Sequence, residues 1–338
     1  MTHHSPYVTK ASSVQSIMLR VMLALIPGII AYVWFFGPAV LVQIALASTT
    51  AILAEALVLK LRGKPVWRAV SDGSALVTAW LIALSFPSIG PWWLVVVATL
   101  VAIVVAKHLY GGLGQNPFNP AMVGFALMIV AYPLLMSRWP GAGAVNDMTQ
   151  VCALIFGSYS PDALTMATPL DTLRTAMHGG DTKLSVESVL NSRPELSKGW
   201  EWIAGGYFLG GLWLLQQRII TWHMPTAFIV TLAALASISS AMNPISFNGP
   251  LFELLSGGAI LAAFFIVTDP VSGCTTPRGK LIFAAGVALI TWVIRHFGGY
   301  PDGIAFAVLL MNVAAPLIDM YTQPPVFGLK ADPAQKHE

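Results

Sequence analysis

Apolar segments of about 20 residues recur along almost the whole chain, and this pattern constrains the fold more than any other feature. A helix that crosses a lipid bilayer needs about 20 mostly apolar residues. Ten segments meet or approach this requirement: residues 17–36, 38–60, 71–87, 91–109, 120–136, 201–219, 224–241, 252–268, 279–297 and 303–321. The third and the eighth are short, and glycine and proline interrupt them. The pattern predicts an all-α polytopic membrane protein with about ten transmembrane helices.

Composition argues against the main alternative, a soluble globular domain. Only 10% of the 338 residues are charged, while 56% are hydrophobic. A soluble domain carries about 25% charged residues, which it needs to cover its water-facing surface. The net charge of +3 gives no support to a nucleic-acid partner. The lipid bilayer is therefore the partner that the composition predicts.

Basic residues in the short connections orient the predicted bundle. One set of connections contains Lys60, Arg62, Lys64, Arg68, Lys107, Arg218, Arg278 and Lys280, and the basic residues of both termini fall on the same side. The opposite short connections contain one basic residue, Arg295. Cytoplasmic loops carry the excess of lysine and arginine, so both termini are predicted to be cytoplasmic. The long polar interval then faces outward, into the periplasm if this is the inner membrane of a Gram-negative cell.

Faint internal similarity suggests two repeats. Residues 70–76 resemble residues 255–261, and Tyr110-Gly111-Gly112 is echoed by Phe297-Gly298-Gly299. Chance similarity between apolar segments is the alternative. Because each repeat would hold five helices, an odd number, the second must be inverted, and such repeats place binding sites at their interface. The predicted units are a first five-helix repeat, an extracytoplasmic loop, a second five-helix repeat and a cytoplasmic tail, over residues 1–136, 137–200, 201–322 and 323–338.

Two polar loops are candidate parts of a site at the cytoplasmic end of the bundle. Residues 111–120 contain two Asn-Pro pairs, at Asn116 and Asn119, whose amides offer donors and acceptors. A tight turn between helices explains that loop equally well. Residues 268–278 place Asp269 among several hydroxyls at membrane depth. Irregular backbone is tolerated there only when it is buried in protein or lines a cavity, which favours a site over a plain loop.

Ionisable residues within apolar segments are costly and are functional candidates by default. Glu55 is the deepest of them and is the candidate for an ion path. The others are Asp72, Glu253, Asp269 and Asp319. Asp72 and Asp319 lie near helix ends, where simple solvation is the alternative. Cys152 and Cys274 are predicted on opposite sides of the membrane, so neither a disulfide nor a metal site is expected.

Thr168 begins a predicted helix in the long polar interval. The run Thr168-Pro169-Leu170-Asp171 has threonine at the N-cap, proline at the first helical position and an acid at the third. The helical pattern continues to His178. On local grounds Thr168 is an ordinary helix cap. The free N–H groups at a helix start also suit a phosphate, although Asp171 would oppose one.

Together these residues resemble the D subunit of the Rnf ion-translocating electron-transport complex and, more distantly, the B subunit of the sodium-pumping NADH:quinone reductase. The most specific motif is Asp-x-x-Thr-x-Ala-Thr, formed here by Asp162, Thr165, Ala167 and Thr168. The resemblance implies that a flavin transferase outside the cytoplasm attaches FMN to Thr168 through its phosphate. It also implies a noncovalent riboflavin within the helices, with Asn116, Asn119 and Asp269 as candidates for its pocket.

The implied function is that of a redox subunit without catalytic residues of its own. Electrons would pass from the covalent FMN to the second flavin, in a complex that couples electron flow between NADH and ferredoxin to Na⁺ or H⁺ movement. No nicotinamide-binding fingerprint or iron–sulfur cysteine set is present, so partner subunits are required. One departure stands out: the quinone-reductase branch has a Gly-Gly pair where this chain has Ala51-Ile52, which puts a quinone site in doubt.

The architecture alone suggests a second function. Inverted repeats around a pore are typical of transporters and channels for small solutes. Without the flavin motif, that function would be the first choice.

Overall fold

The computed structural model describes residues 13–157, 164–178 and 199–324. Asp162 and most of the predicted tail at 323–338 lie outside these ranges. Within them, five helices are long and apolar enough to cross a membrane: α1 (Val14–Phe36), α2 (Ala39–Leu61), α11 (His223–Met242), α14 (Pro277–Phe297) and α15 (Ile304–Thr322). This finding agrees with the predicted class of polytopic membrane protein.

Shorter or broken helices occupy the other predicted segments. They are α4 (Ser74–Ser85), α5 (Trp92–Leu100), α6 (Pro120–Ala131), α10 (Trp200–Gln216), α12 (Pro250–Leu255) and α13 (Ala259–Leu261). Two of them continue as π-helix, α5 over Val101–His108 and α13 over Ala262–Ile266. The third segment is short, and the eighth breaks between α12 and α13, as the sequence predicts. The turn between α12 and α13 favours glycine, because Gly257 has a φ of +65°, a conformation that other residues adopt only with strain.

The small elements lie mainly between α6 and α10. They are α3 (Val66–Val70), α7 (Pro133–Met136), α8 (Met148–Ile155), α9 (Pro169–His178), β1 (Trp139–Pro140) and β2 (Thr165–Met166). The strands β1 and β2 pair antiparallel, with Trp139 opposite Met166. The predicted fifth segment does not run unbroken to residue 136. It stops at Tyr132, because Pro133 has no N–H to continue the ladder of α6.

The core contains closely packed apolar side chains, while large apolar side chains also cover the outside. Phe228 and Phe283 are fully buried. Trp34 is 81% exposed and Trp67 is 83% exposed, and both belong to a surface rich in leucine, isoleucine and valine. A water-soluble monomer rarely exposes apolar patches of this extent. Such a surface is suited to contact with the hydrocarbon chains of a lipid bilayer.

Helices α1 and α10, one from each predicted half, cross at very close range. The crossing uses Gly206 and Gly210 of α10, which face Gly28 and Ala24 of α1. A Cβ on Gly210 would lie 1.8 Å from the carbonyl oxygen of Ala24. Small residues four apart let two membrane helices approach backbone to backbone. Glycine contacts therefore hold α1 and α10 together.

We expect Gly210→Val to destabilise the protein by about 1–3 kcal/mol, because the new side chain overlaps the backbone of α1. Equilibrium unfolding in mixed micelles measures the effect. Gly205→Val is the matched control, since a Cβ on Gly205 has no atom within 4 Å among the described residues. Equal stability of the two variants would contradict this account of the crossing.

Candidate functional site

Thr168 caps α9, as the sequence predicts. Its hydroxyl oxygen accepts a hydrogen bond from the N–H of Asp171 at 3.2 Å, and its carbonyl accepts one from the N–H of Thr172 at 2.9 Å. The buried side chains of Leu170 and Leu173 anchor α9 to the bundle. The half-buried Thr168 is therefore held at the start of a docked helix.

The strand pair fixes the segment that leads into this helix. Thr165 lies in β2 opposite Pro140, and the N–H of Gly141 donates to the carbonyl of Leu164 at 3.2 Å. This pairing brings Thr168 to the same cavity as Trp139.

The cavity beside Thr168, termed the outer cavity, has a volume of about 130 Å³. One buried water needs about 10–15 Å³ by the same measure, so the outer cavity holds about ten times that room. Most of its lining is apolar. The aromatic lining residues are Tyr32, Phe125, Trp139, Trp200 and Tyr207. Trp139 and Trp200 meet edge to face, with ring centroids 5.5 Å apart. Concave, aromatic and largely apolar cavities of this kind bind flat organic molecules.

Two buried tyrosines lie beside the outer cavity. Tyr32 and Tyr207 are 3% and 4% exposed. The hydroxyl of Tyr32 lies close to Ser88, and both phenol oxygens are enclosed by protein. The two residues therefore contribute to the cavity mainly through their aromatic rings.

A buried charge cluster supports the floor of the outer cavity. Arg295 Nη1 donates to the side chain and carbonyl oxygens of Glu253, at 2.9 and 2.7 Å. Its Nε and Nη2 each lie 3.3 Å from Asp302, which lines the cavity. Asp302 also accepts from the N–H of Gly258 at 3.2 Å and so holds the break before α13. Glu253, a candidate because it is an acid within an apolar segment, therefore forms an ion pair with Arg295.

A second cavity, termed the inner cavity, lies at the other end of α1 and α10 and has a volume of about 150 Å³. Asn116, Asn119 and Asp269 all line it, together with Lys107 and Ser74. The sequence placed these three candidates in two separate loops. The fold brings the loops together on one cavity.

Each of these candidates also has a structural partner. Asn119 caps α6 by accepting from the N–H of Ala121 at 3.0 Å, and its own N–H donates to Asn312 at 3.0 Å. The Asp269 carboxylate accepts from the hydroxyl of Ser272 at 2.7 Å. Asn116 donates to the carbonyl of Phe118 at 3.0 Å. Sequence reasoning missed Asn312, although a lone asparagine in an apolar segment was a usable signal.

Glu55 lies behind the inner cavity and does not line it. Its carboxylate accepts from Lys107 at 2.6 Å and lies 3.1 Å from the Nε2 atom of His108. Lys107 also donates to the hydroxyl of Ser74 at 2.7 Å. Because Glu55 is only 1% exposed, any ion that reached it from the inner cavity would first meet Lys107.

The other intramembrane acids hold loops. Asp72 accepts from the N–H and hydroxyl of Ser74 at 2.7 and 2.6 Å, and Asp319 accepts from the N–H groups of Thr275 and Thr276. Both residues are partly exposed, and each also holds a loop through these hydrogen bonds. The two cysteines, Cys152 and Cys274, are both free, as predicted.

Comparisons with known proteins agree across nearly the whole chain. The model of the NQR2, RnfD, RnfE family matches residues 1–328. The chain is 47% identical over 344 aligned residues to the D subunit of the ion-translocating oxidoreductase complex of Escherichia coli (strain SE11), covering 96% of this chain and 97% of that protein. The protein of the same description from Shigella dysenteriae serotype 1 (strain Sd197) has the same identity and coverage. That of Escherichia coli O157:H7 (strain EC4115 / EHEC) is 46% identical with equal coverage.

Proposed function

The chain belongs to the NQR2, RnfD, RnfE family, and from this premise we propose that it is the flavin-carrying membrane subunit of an ion-translocating electron-transport complex. The relatives named above match this chain along nearly their full length, and each is described as the D subunit of an ion-translocating oxidoreductase complex. In this proposal Thr168 holds FMN through a phosphoester, and a noncovalent riboflavin occupies the inner cavity. Other subunits supply and remove the electrons.

The observation that carries the proposal is the position of Thr168 on the outer cavity. FMN is a flat aromatic ring with a polar edge, joined by a chain to a phosphate. The aromatic lining, which includes Tyr32 and Tyr207, fits the flat ring. Thr168 offers a hydroxyl at the rim for the phosphate. The residues present therefore fit the group that the family implies.

The start of α9 suits the phosphate. The positive end of the helix dipole favours a negative charge at Thr168. Asp171, in the first turn of α9, opposes an anion at this position. Burial raises the pKa of its carboxyl, an effect that nearby Arg174 partly offsets. Flavins supply one-electron and two-electron chemistry, while the protein binds, orients and tunes them.

The inner cavity suits an uncharged flavin. Its lining combines apolar side chains with the amides of Asn116 and Asn119, the carboxylate of Asp269 and the ammonium group of Lys107. Amides donate and accept, which matches the mixed donors and acceptors of a flavin ring. Both cavities use residues from α1, α6 and α10, at opposite ends of these helices. A pair of flavins there would lie along the interface of the two halves.

We expect Asp269→Ala to lower the riboflavin content of the purified complex at least severalfold, because a polar contact to the ring is lost. Flavin extraction followed by chromatography measures the content. Ser272→Ala is the matched control, since Ser272 hydrogen-bonds Asp269 but does not line the inner cavity. Unchanged riboflavin in the Asp269→Ala complex would refute this assignment.

The remaining parts of the proposal concern topology and partners. Residues 1–136 and 201–322 would form inverted five-helix repeats in the inner membrane, with cytoplasmic termini and with the 137–200 loop in the periplasm. A flavin transferase outside the cytoplasm would load Thr168. The complex would couple electron flow between NADH and ferredoxin to Na⁺ or H⁺ translocation, with Glu55 as the candidate for the ion path. The glycine crossing of α1 and α10 supports an interface between two halves.

The decisive experiment tests for a covalent flavin. The denatured subunit, purified from cells that contain the transferase, should fluoresce under ultraviolet light on a gel. A dark band would overturn the proposal. The alternative, a transporter or channel for a small solute, predicts solute uptake by vesicles that contain the isolated chain and predicts no fluorescent band.

A further inference from the structure

An unbroken chain of hydrogen bonds runs from the inner-cavity end of the bundle to the buried carboxylate of Glu55. It begins at Asp72, which is partly exposed and accepts from the hydroxyl of Ser74 at 2.6 Å. Ser74 in turn accepts from the Nζ atom of Lys107 at 2.7 Å, and Lys107 also donates to Glu55 at 2.6 Å. We term these four linked residues the Asp72–Glu55 chain. Apart from Asp72, its members are almost fully buried.

The direction of each link follows from the chemistry of the groups. A lysine ammonium only donates hydrogen bonds, and a serine hydroxyl has a single proton to donate. Since Ser74 accepts from Lys107, its own proton is free to point at Asp72. Each link therefore has one proton between two heavy atoms 2.6–2.7 Å apart. This is the arrangement that a proton needs in order to pass from one group to the next.

The Glu55 end of the chain has unused acceptors. One carboxylate oxygen, Oε1, accepts from Lys107 and lies 3.1 Å from the Nε2 atom of His108. The other oxygen, Oε2, and the Nδ1 atom of His108 make no hydrogen bond to any residue that the structure describes. Buried polar atoms normally have partners, and a purely structural pair of Lys107 and Glu55 leaves these two unexplained. Both atoms can take up a proton.

The charges around Glu55 favour a proton over a metal cation. A sodium ion at Glu55 would lie within a few ångströms of the ammonium of Lys107, and the two like charges would repel each other. A proton meets no such barrier, because it moves along the hydrogen bonds themselves. The nearby charged groups do not change this balance: Arg62 donates to the carbonyl of His108 at 2.9 Å, and Asp269 lines the same cavity as Lys107.

We propose that the Asp72–Glu55 chain is a proton relay between the surface at the inner-cavity end and Glu55, so that the ion handled at Glu55 is H⁺. This inference rests on the proposed function, in which Glu55 is the candidate for the ion path. Chains of ionisable groups within membrane spans serve as proton relays in pumps and transporters.

The transfer balances at every step. Lys107 releases a proton from Nζ to Glu55 and becomes a neutral amine. Ser74 then gives its hydroxyl proton to that amine and receives one from Asp72, which solvent has protonated. One N–H or O–H bond forms for each that breaks, and the net change is one proton moved from solvent to Glu55. Lysine suits the middle position because, unlike arginine, it can release its proton when it is buried.

The test follows ion movement by the assembled complex in sealed vesicles, driven by electron flow between NADH and ferredoxin. A pH-sensitive dye in the lumen records protons, and radioactive sodium records Na⁺. Asp72→Asn can still accept both hydrogen bonds from Ser74 but cannot carry a proton. Ser74→Ala removes one link without changing a charge. Flavin content and equilibrium unfolding show whether each variant is intact.

Two further variants separate the relay from local packing. Thr78→Val is the matched control, because Thr78 is a second hydroxyl residue on α4 that lines the inner cavity. Its hydroxyl donates to the backbone carbonyl of Ser74 and takes no part in the chain. Ser74→Thr keeps the hydroxyl of the link and should rescue proton movement, which a change in packing alone would not predict.

We expect Asp72→Asn and Ser74→Ala to slow acidification of the lumen at least about tenfold, since a positioned proton donor typically contributes about 10²–10⁴-fold. Thr78→Val and Ser74→Thr should stay near the wild-type rate. Wild-type acidification in either Asp72→Asn or Ser74→Ala would overturn the relay. So would sodium uptake by the wild type that persists when a protonophore abolishes the proton gradient. A dark wild-type band on the denaturing gel would instead overturn the proposed flavin function, and the vesicle measurement would still decide on the relay.

Discussion

Thr168→Val is expected to abolish the covalent flavin and the fluorescent band on a denaturing gel. Valine has nearly the shape of threonine but no hydroxyl, so no phosphoester can form at this position. Electron transfer through the complex should fall to background with it. The change also removes the cap of α9, which is worth about 1 kcal/mol, so the loss of flavin must be separated from local unfolding.

Three further variants make that separation. Thr168→Ser keeps both the hydroxyl and the cap, and it should retain fluorescence. Thr168→Asn keeps a strong cap but lacks the hydroxyl, and it should be dark. Thr175→Val removes an exposed hydroxyl further along α9 and should be as bright as the wild type. Fluorescence in Thr168→Asn, or its loss in Thr175→Val, would contradict the assignment of Thr168 as the flavin-bearing residue.

Arg295→Met is expected to cause the largest loss of stability, about 3–5 kcal/mol, because it leaves Glu253 and Asp302 without their cation. Arg295 is 6% exposed and Glu253 is 1% exposed, so water cannot take over the role of the guanidinium. The turn between α12 and α13 should become more mobile as well, because Asp302 accepts a hydrogen bond from Gly258 in that turn. Equilibrium unfolding in mixed micelles measures the loss.

The matched control is Arg278→Met, which removes an exposed arginine at the start of α14 and should change stability by no more than about 0.5 kcal/mol. Adding Glu253→Gln to Arg295→Met should restore part of the loss, because it removes one of the stranded charges. If Arg295→Met and Arg278→Met unfold alike, the buried cluster does not contribute as described.

Hydropathy and local chemistry were sufficient to predict the helices and the cap. Lipid-spanning helices need long apolar runs, so α1 and α2 were visible in the sequence, and Thr168-Pro169 marked the start of α9. The contact between Lys107 and Glu55 was not visible, because it joins residues 52 apart through packing alone. The π-helical continuations of α5 and α13 were missed for a similar reason, since tertiary packing decides them and not composition.

The candidate site was predictable to a similar extent. The family motif pointed to Thr168, and the resemblance pointed to Asn116 and Asp269, whose loops do meet at the inner cavity. Tyr32 and Tyr207, which both line the outer cavity, had no sequence signal. Tyrosine is common near membrane surfaces, and only the crossing of α1 and α10 shows that these two face one cavity.

The π-helical turns at Val101–His108 have a consequence for how the chain tolerates change in length. A π turn accommodates one more residue than an α turn, and one α-helical residue corresponds to a rotation of about 100°. The extra residue therefore sets the direction in which Lys107 and His108 face at the end of α5. The same residues in a regular α-helix would turn both side chains by about 100°, away from Glu55. A deletion of one residue that also removed the π turn would instead keep their direction, because the π turn absorbs one residue. The segment therefore tolerates a change in length only together with a change in its helical geometry.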